Sequence, residues 1–143
     1  MSLFDPIKTA MESIEYMTGK IYHAEALKNA SAPFVFWVQN AEDAREDLAG
    51  YTELCEAGYE VHIVTRNLDT LDALAAAVRS VILALQGTTS GGFLFERIRI
   101  RQISPVINEK EVGLYRKVYQ LNINYQEINV PIPGTNSTGG NAI

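Results

Sequence analysis

The order of hydrophobic and polar positions along the chain predicts two amphipathic helices. In residues 3–17, apolar side chains recur at spacings of three and four, and Asp5 and Pro6 suit the start of a helix. A second, stronger pattern in residues 67–87 begins at Asn67, a favourable N-cap, and places its apolar side chains on one stripe. Such stripes must be covered, so we expect both helices to pack on a sheet.

Several segments show the alternation or the apolar content typical of β-strands: residues 20–27, 33–39, 59–66, 93–104 and 114–128. The second of them is apolar on both faces, which favours a position inside the sheet. In the fourth, the apolar phase slips between Glu96 and Arg97, which predicts either a β-bulge there or two short strands. The whole pattern predicts the α+β class, with a mixed, mostly antiparallel sheet of about five strands and two helices packed on one face.

Two regions lack a sustained period. Residues 40–58 are strongly acidic and predict a loop, which is a candidate for binding a partner. Residues 129–143 are rich in Gly, Pro, Asn, Ser and Thr and have little to bury, so they predict a disordered tail. We therefore expect a single domain in residues 1–128, a length that suits one hydrophobic core.

Three arginines occupy alternate positions of the fourth predicted strand. Side chains of a strand alternate between its faces, so Arg97, Arg99 and Arg101 share one face while Ile98 and Ile100 share the other. These arginines either belong to the solvated side of a sheet or bind a partner surface through bidentate pairs with carboxylates. If the last two predicted strands pair, the same face gains three amide side chains, Gln120, Asn122 and Asn124.

Composition narrows the classes of function. The 143 residues are 47% hydrophobic and 20% charged, as in ordinary globular proteins, which argues against overall disorder. The formal net charge of −5 does not favour specific binding to nucleic acid, so the arginines are a local exception. We find neither a long apolar run nor the pattern of a signal peptide, and therefore expect synthesis in a cytoplasm and no membrane partner.

Candidate chemistry is sparse. Cys55 is the one cysteine of the sequence, and its acidic neighbours would suppress the reactive thiolate, which disfavours a nucleophile and base pair of Cys55 and His62. The carboxylates of the acidic segment lack the spacing of a calcium loop, and the glycines of residues 87–92 lack the lysine of a phosphate-binding loop. We expect no catalytic residue, no metal site and no cofactor, and so a protein that is not an enzyme.

The order of these elements resembles the tail-completion, or tail-to-head joining, proteins of siphophages. The resemblance covers residues 3–126 and is carried by the motifs LFDPIKTAM, PFVFWV, YEVHIVT, LDTLDALAAAVRSVILAL and LYRKVYQLNINYQ. These motifs are packing patterns rather than chemical signatures. The acidic residues 42–50 and the tail after Ile128 do not take part in it.

The resemblance implies a non-enzymatic structural protein of the virion, or tail terminator, made in the cytoplasm of a bacterial host. It would form a ring at the head-proximal end of the tail tube, end tail growth and join the tail to the head. The implied partners are other copies of the chain, in a closed ring of about six with heterologous contacts, the tail tube protein and the head connector protein. The alternatives are a phage head-completion or neck protein and a small-molecule-binding regulatory α+β domain.

A ring gives the charged residues a role that experiments can test. The acidic segment of one copy and the arginines of the next have opposite signs, and complementary charge fixes the register of an interface. We therefore predict an interface with Arg97, Arg99 and Arg101 on one side and Glu42, Asp43, Glu46 and Asp47 on the other. The alternative, in which the arginines are only a solvated face of the sheet, is equally favoured, because exposed ion pairs contribute little to stability.

Overall fold

The structure, a computed structural model of the chain, describes residues 2–24, 30–46 and 53–128. These residues contain two helices, α1 (Phe4–Glu12) and α2 (Leu68–Leu83). They also contain seven strands: β1 (Ile21–His23), β2 (Phe34–Glu46), β3 (Glu53–Thr65), β4 (Thr89–Ser90), β5 (Phe93–Gln102), β6 (Ile107–Glu109) and β7 (Leu114–Glu127). The predicted tail, residues 129–143, lies outside the described residues, so its disorder and the domain boundary at residue 128 stay predictions.

The strands form one sheet with the order β1-β2-β3-β7-β5-β4, and β6 pairs with the start of β7. β1 and β2 run parallel and the other pairs are antiparallel, which confirms the α+β class with a mixed, mostly antiparallel sheet. β2 lies between β1 and β3, inside the sheet as predicted. The expected number of about five strands was too low, because strands as short as β4 and β6 cannot show an alternation.

The hydrophobic core lies between the two helices and one side of the sheet, which we call the helix face. The buried stripe of α2 packs on β3, β5 and β7, and α1 packs on α2 and on the β1 end of the sheet. Alternate residues of β3 and β7 point into this core, as their sequence predicts: Tyr59, Val61, Ile63, Tyr119, Leu121, Ile123 and Tyr125. We call the opposite side of the sheet the outer face.

The two predicted helix starts have different outcomes. Asn67 caps α2, where its side-chain oxygen accepts a hydrogen bond from the backbone N–H of Thr70 at 2.7 Å. The prediction that Asp5 caps the first helix is wrong: the capping position of α1 is Leu3, and the Asp5 carboxylate accepts from the backbone N–H of Ser2 at 3.0 Å. Asp5 thus lies inside the first turn of α1, where its negative charge interacts favourably with the positive end of the helix dipole.

The acidic residues 40–58 do not form the loop that their sequence predicts. β2 continues to Glu46, β3 starts at Glu53, and the two strands pair antiparallel along this length. The inward positions of this part of β3 are Cys55 and Ala57, which are buried opposite residues of β7. A strand is recognised in a sequence mainly by large hydrophobic residues at alternate positions. Because Cys55 and Ala57 are small, this part of β3 shows only a weak alternation.

Candidate assembly surface

The arginine ribbon, which consists of Arg97, Arg99 and Arg101, lies on the outer face of β5. All three side chains are exposed, whereas Ile98 and Ile100 are buried on the helix face. The neighbouring strand β7 aligns three amide side chains with them in register: Asn124, Asn122 and Gln120. The β5 and β7 pair therefore presents a row of hydrogen-bonding groups, as the alternation of the sequence predicts.

A β-bulge determines which side chains of β5 face the solvent. The register of β5 against β7 shifts between Phe95 and Arg97, where the apolar phase of the sequence slips, and β5 is one bulged strand rather than two short ones. Phe95 and Ile98 are three positions apart and are both buried on the helix face, which requires one extra residue, Glu96, between them. Without the bulge, the arginines would point toward the core.

The far edge of β5 is covered by the end of α2 and the residues after it. Gln86 accepts a hydrogen bond from the backbone N–H of Ile98 at 2.8 Å, and Arg79 donates to the carbonyl of Ile100 at 3.0 Å. β4 pairs with the start of the same edge. Backbone groups along this edge therefore already have partners within the chain, and the edge is not open to a further strand there.

A network of amides lies beside the arginine ribbon on the outer face. Asn40 and Gln120 exchange two hydrogen bonds, with N···O distances of 2.9 and 3.3 Å, and Gln120 also donates to Asn122 at 3.1 Å. Gly58 lies beneath these side chains: a Cβ at this position would be only 2.8 Å from Asn40 Oδ1. The network therefore depends on glycine in the middle of β3.

Replacing Gly58 with alanine is expected to lower the free energy of unfolding by about 1–3 kcal/mol, because the methyl group would separate the amides of Asn40 and Gln120. Urea denaturation of the purified chain measures the change. The same substitution in an Asn40→Ala background should cost less, since the closest atom has been removed. An equal loss in the free energy of unfolding in the two backgrounds would show that the added methyl group does not clash with Asn40.

One arginine of the ribbon has a partner in its own chain. Arg99 Nη2 lies 3.6 Å from Glu56 Oε2, diagonally across β7. The Arg99 side chain is 55% exposed, so water screens this pair and it contributes little to stability. Arg97 and Arg101, in contrast, make no ion pair or hydrogen bond with any residue that the structure describes. Both of these side chains are exposed.

Three of the four acidic residues of the predicted interface lie on β2 rather than in a loop. Glu42 is on β2, and its carboxylate lies 3.4 Å from the Tyr125 hydroxyl on the helix face. Asp43 and Glu46 are also on β2, where only the backbone is described, paired with β3. Asp47 lies outside the described residues. Glu42 and the arginine ribbon thus occupy opposite faces of the sheet, and a contact between copies stays a prediction.

A polar pocket opens on the helix face beside Glu42. It has a volume of about 250 Å³ and lies where the start of the chain meets β2, β3, β5 and β7. Its walls are formed by Ser2, Leu3, Gln39, Glu42, Tyr59, Phe93, Tyr125 and Glu127. Two carboxylates and two tyrosines therefore line one small space.

The two tyrosines of the pocket are protonated at neutral pH. Burial, followed by the nearby Glu42 carboxylate, raises the pKa of Tyr59 to about 12. Burial also raises the pKa of Tyr125, with further contributions from Cys55 and Glu42. The Tyr125 hydroxyl donates to Glu42 at 3.4 Å. The Tyr59 hydroxyl has no hydrogen-bond partner among the described residues, although Tyr59 is only 2% exposed.

His62 lies in a second polar group on the outer face. Its Nε2 is 3.0 Å from Glu60 Oε1, its Nδ1 is 3.5 Å from Arg116 Nη1, and its ring stacks on Phe36. Because arginine only donates, Nδ1 accepts and Nε2 carries the hydrogen of a neutral imidazole. Burial lowers the pKa of His62; the hydrogen bond to Glu60 opposes this change, and the charge of Arg116 adds to it.

The lowered pKa of His62 predicts that acid destabilises the fold. Below about pH 6.5 the unfolded chain protonates this imidazole while the folded chain resists, so the unfolded state binds more protons. The free energy of unfolding should therefore be at its full value above that pH and fall as the pH decreases below it. Urea denaturation at about pH 7.5 and about pH 5.5 measures the loss. His62→Gln should reduce it, and an undiminished loss in that variant would assign the effect to other groups.

The structure separates the candidate nucleophile from the candidate base. Cys55 is buried on the helix face, and His62 lies on the outer face of the same strand, roughly 20 Å further along it. They cannot exchange a proton. Among the residues that the structure describes, no group of three or more His, Cys, Asp or Glu side chains is placed to hold a metal ion. That the chain is not an enzyme stays a prediction.

The pocket leaves no mark in the hydrophobic pattern of the sequence. The alternation of β3 and β7 assigns Tyr59 and Tyr125 to the core but does not say what their hydroxyls meet. The register of β2 shifts between Gln39 and Ala41, and this shift is what turns Glu42 to the helix face. A tyrosine at a core position is the signal that could have found the pocket, because a buried hydroxyl usually has a polar neighbour.

Comparisons with known proteins do not assign the chain to a family. No family model matches it, and no curated protein matches it. Among solved structures, a chain in the virion of a native gene transfer agent particle is similar, with 15% identity and a TM-score of 0.48 over 84% of this chain and 91% of that chain. A similarity of this size does not bear on function. Neither helix in the described part of the chain is long and apolar enough to cross a membrane.

Proposed function

We propose that this chain is a structural protein of a phage particle, of the tail-completion class, and that it acts by assembly rather than by catalysis. One observation carries the proposal: the arginine ribbon is an exposed row of cations, in which Arg97 and Arg101 have no partner in the described part of their own chain. The resemblance of the chain's motifs to those of tail-completion proteins supports it. The proposed role is a ring at the head-proximal end of the tail tube that ends tail growth and joins tail to head.

The position of the ribbon suits recognition by a protein surface. The arginines stand on a strand that pairs with β7 on one side and is covered by α2 and β4 on the other, so their spacing is fixed before a partner binds. Arginine is enriched at protein interfaces, and a rigid scaffold reduces the entropy lost on binding. The amides of β7 add donors and acceptors on the same face.

A closed ring requires two different surfaces on each copy. The ribbon supplies one of them. We propose that the acidic residues of β2 and the segment after it, Glu42, Asp43, Glu46 and Asp47, supply the other. Opposite charges on the two surfaces would favour one register of contact and disfavour others.

The alternative of a small-molecule-binding regulatory domain has less support. Ligand pockets are typically about 300–1,000 Å³ in volume and mostly apolar. The pocket beside Glu42 is smaller and is lined by carboxylates and tyrosines. A head-completion or neck protein would use the same surfaces on another partner, so location in the particle separates the two phage functions.

Gold labelling of particles tests the location. In a phage or prophage that carries this gene, an epitope tag on the chain should place gold at the junction of head and tail. Untagged particles are the control for the antibody, and an unchanged titre is the control for the tag. Label on the head shell or along the tail tube, or purified particles without the protein, would contradict the proposal.

A further inference from the structure

The pocket beside Glu42 has the properties of a binding site for one kind of side chain. We infer that it binds a guanidinium group, and that its occupant is Arg97 or Arg101 of a neighbouring copy of this chain. The inference rests on the proposed function, because it names a contact through which the copies of the ring would meet.

The polar groups of the pocket match the needs of a guanidinium. An arginine side chain has five N–H donors in a planar fork and no acceptor. Glu42 and Glu127 offer carboxylate oxygens at the pocket, and the Tyr59 oxygen offers a further acceptor. Leu3 and Phe93 add apolar wall that can cover the aliphatic stem of the same side chain.

Tyr59 supplies an observation that is independent of the acidic residues. It is only 2% exposed and lines the pocket, and its hydroxyl has no hydrogen-bond partner among the described residues. The Tyr59 oxygen is not among the fully buried side-chain atoms of the described residues that lack a partner, so it is accessible at the pocket and can accept a hydrogen bond from a ligand there. The Tyr125 hydroxyl is 3.4 Å from Glu42, a long hydrogen bond that leaves the carboxylate able to accept stronger ones.

A second copy is the occupant that the fold itself favours. The ribbon is on the outer face and the pocket is on the helix face, so the sheet prevents a chain from placing its own arginines in its own pocket. Two surfaces of opposite charge that cannot meet within one chain can pair from copy to copy in a closed ring. Arg97 and Arg101 are the better candidates because Arg99 already lies beside Glu56.

Titration with a free arginine analogue tests the pocket apart from the ring. The protein to use is Arg97→Gln/Arg101→Gln, since its own ribbon cannot fill a neighbour's pocket, and the probe is N-acetyl-arginine amide followed by heteronuclear NMR. We expect saturable shifts around Glu42 and Tyr59, and binding at least about tenfold weaker when Glu42→Gln is added. N-acetyl-lysine amide should bind more weakly, because it lacks the planar fork.

Glu111→Gln is the matched control for the titration. It removes the same charge from an exposed turn away from the pocket, and should leave binding of the arginine analogue unchanged. The absence of saturable shifts at the pocket would overturn the inference. So would equal binding of the arginine and lysine analogues, since the site would then recognise only a positive charge.

A double-mutant cycle on assembly tests the occupant. Glu42→Gln and Arg97→Gln/Arg101→Gln should each raise the concentration needed for ring formation by at least about tenfold, and together by no more than either alone. If the two effects add, the pocket and the ribbon belong to separate contacts. The inference would then be overturned, whereas the proposed function would stand because the wild-type chain still forms rings. Failure of the wild-type chain to form rings, alone or on tail tubes, would overturn the proposed function as well.

Discussion

Replacing Phe4 with alanine is expected to lower the free energy of unfolding by about 3–5 kcal/mol, a large part of the stability of a single domain. The Phe4 side chain is fully buried, with its ring centroid 4.0 Å from that of Trp37 and 5.0 Å from that of Tyr59. It holds α1 against β2 and β3. Its loss would leave a cavity that the surrounding close-packed side chains can fill only in part.

Tyr16→Ala is the matched control, because Tyr16 is an aromatic residue of the same region that is 83% exposed. Its effect should stay within about 0.5 kcal/mol. Urea denaturation followed by far-ultraviolet circular dichroism measures both variants without depending on the fluorescence of Trp37, which Phe4 contacts. Similar small losses in the two variants would contradict the buried position of α1.

Reversing the two unpartnered charges of the arginine ribbon is expected to abolish assembly without unfolding the chain. Arg97→Glu and Arg101→Glu change exposed side chains, so each should alter the free energy of unfolding by no more than about 0.5 kcal/mol. At an interface with acidic groups, however, the reversal replaces attraction with repulsion, which costs several kcal/mol. We expect at least about a 100-fold loss in the titre restored by complementation.

The control for charge reversal is Arg66→Glu, which makes the same change at an exposed position between β3 and α2, away from the ribbon. Complementation of a strain that lacks the gene measures function, and thermal unfolding of each purified variant confirms the fold. If Arg97→Glu/Arg101→Glu restores the titre as well as Arg66→Glu does, the ribbon is a solvated face and takes no part in assembly.

Local signals in the sequence predicted the elements that carry their own pattern. Asn67 and the apolar stripe that follows it were sufficient for α2. The phase slip after Phe95 located the irregularity of β5, but it left a bulge and two short strands as alternatives until the pairing with β7 was known. β4 and β6 were missed because strands of this length are defined by what they pair with, and not by their own residues. The hairpin of β2 and β3 was missed because its inward side chains include Cys55 and Ala57, which are small.

The candidate site shows the same division between local and long-range information. Alternation alone placed Arg97, Arg99 and Arg101 on one face. Alternation cannot say that Glu56 lies near Arg99, because this depends on β7 lying between β5 and β3. Nor can it place Glu42 on the helix face, because that depends on a shift in the register of β2. Pairings between distant segments are what the sequence pattern leaves open.

Electron microscopy of particles from a phage or prophage that lacks this gene tests the central claim most directly. We expect normal heads beside unjoined tails of irregular length, because the missing ring would neither end the tail tube nor dock it to the head. A plasmid copy of the gene should restore joined particles with tails of one length. Intact, infectious virions in the absence of the gene would contradict a role in tail completion.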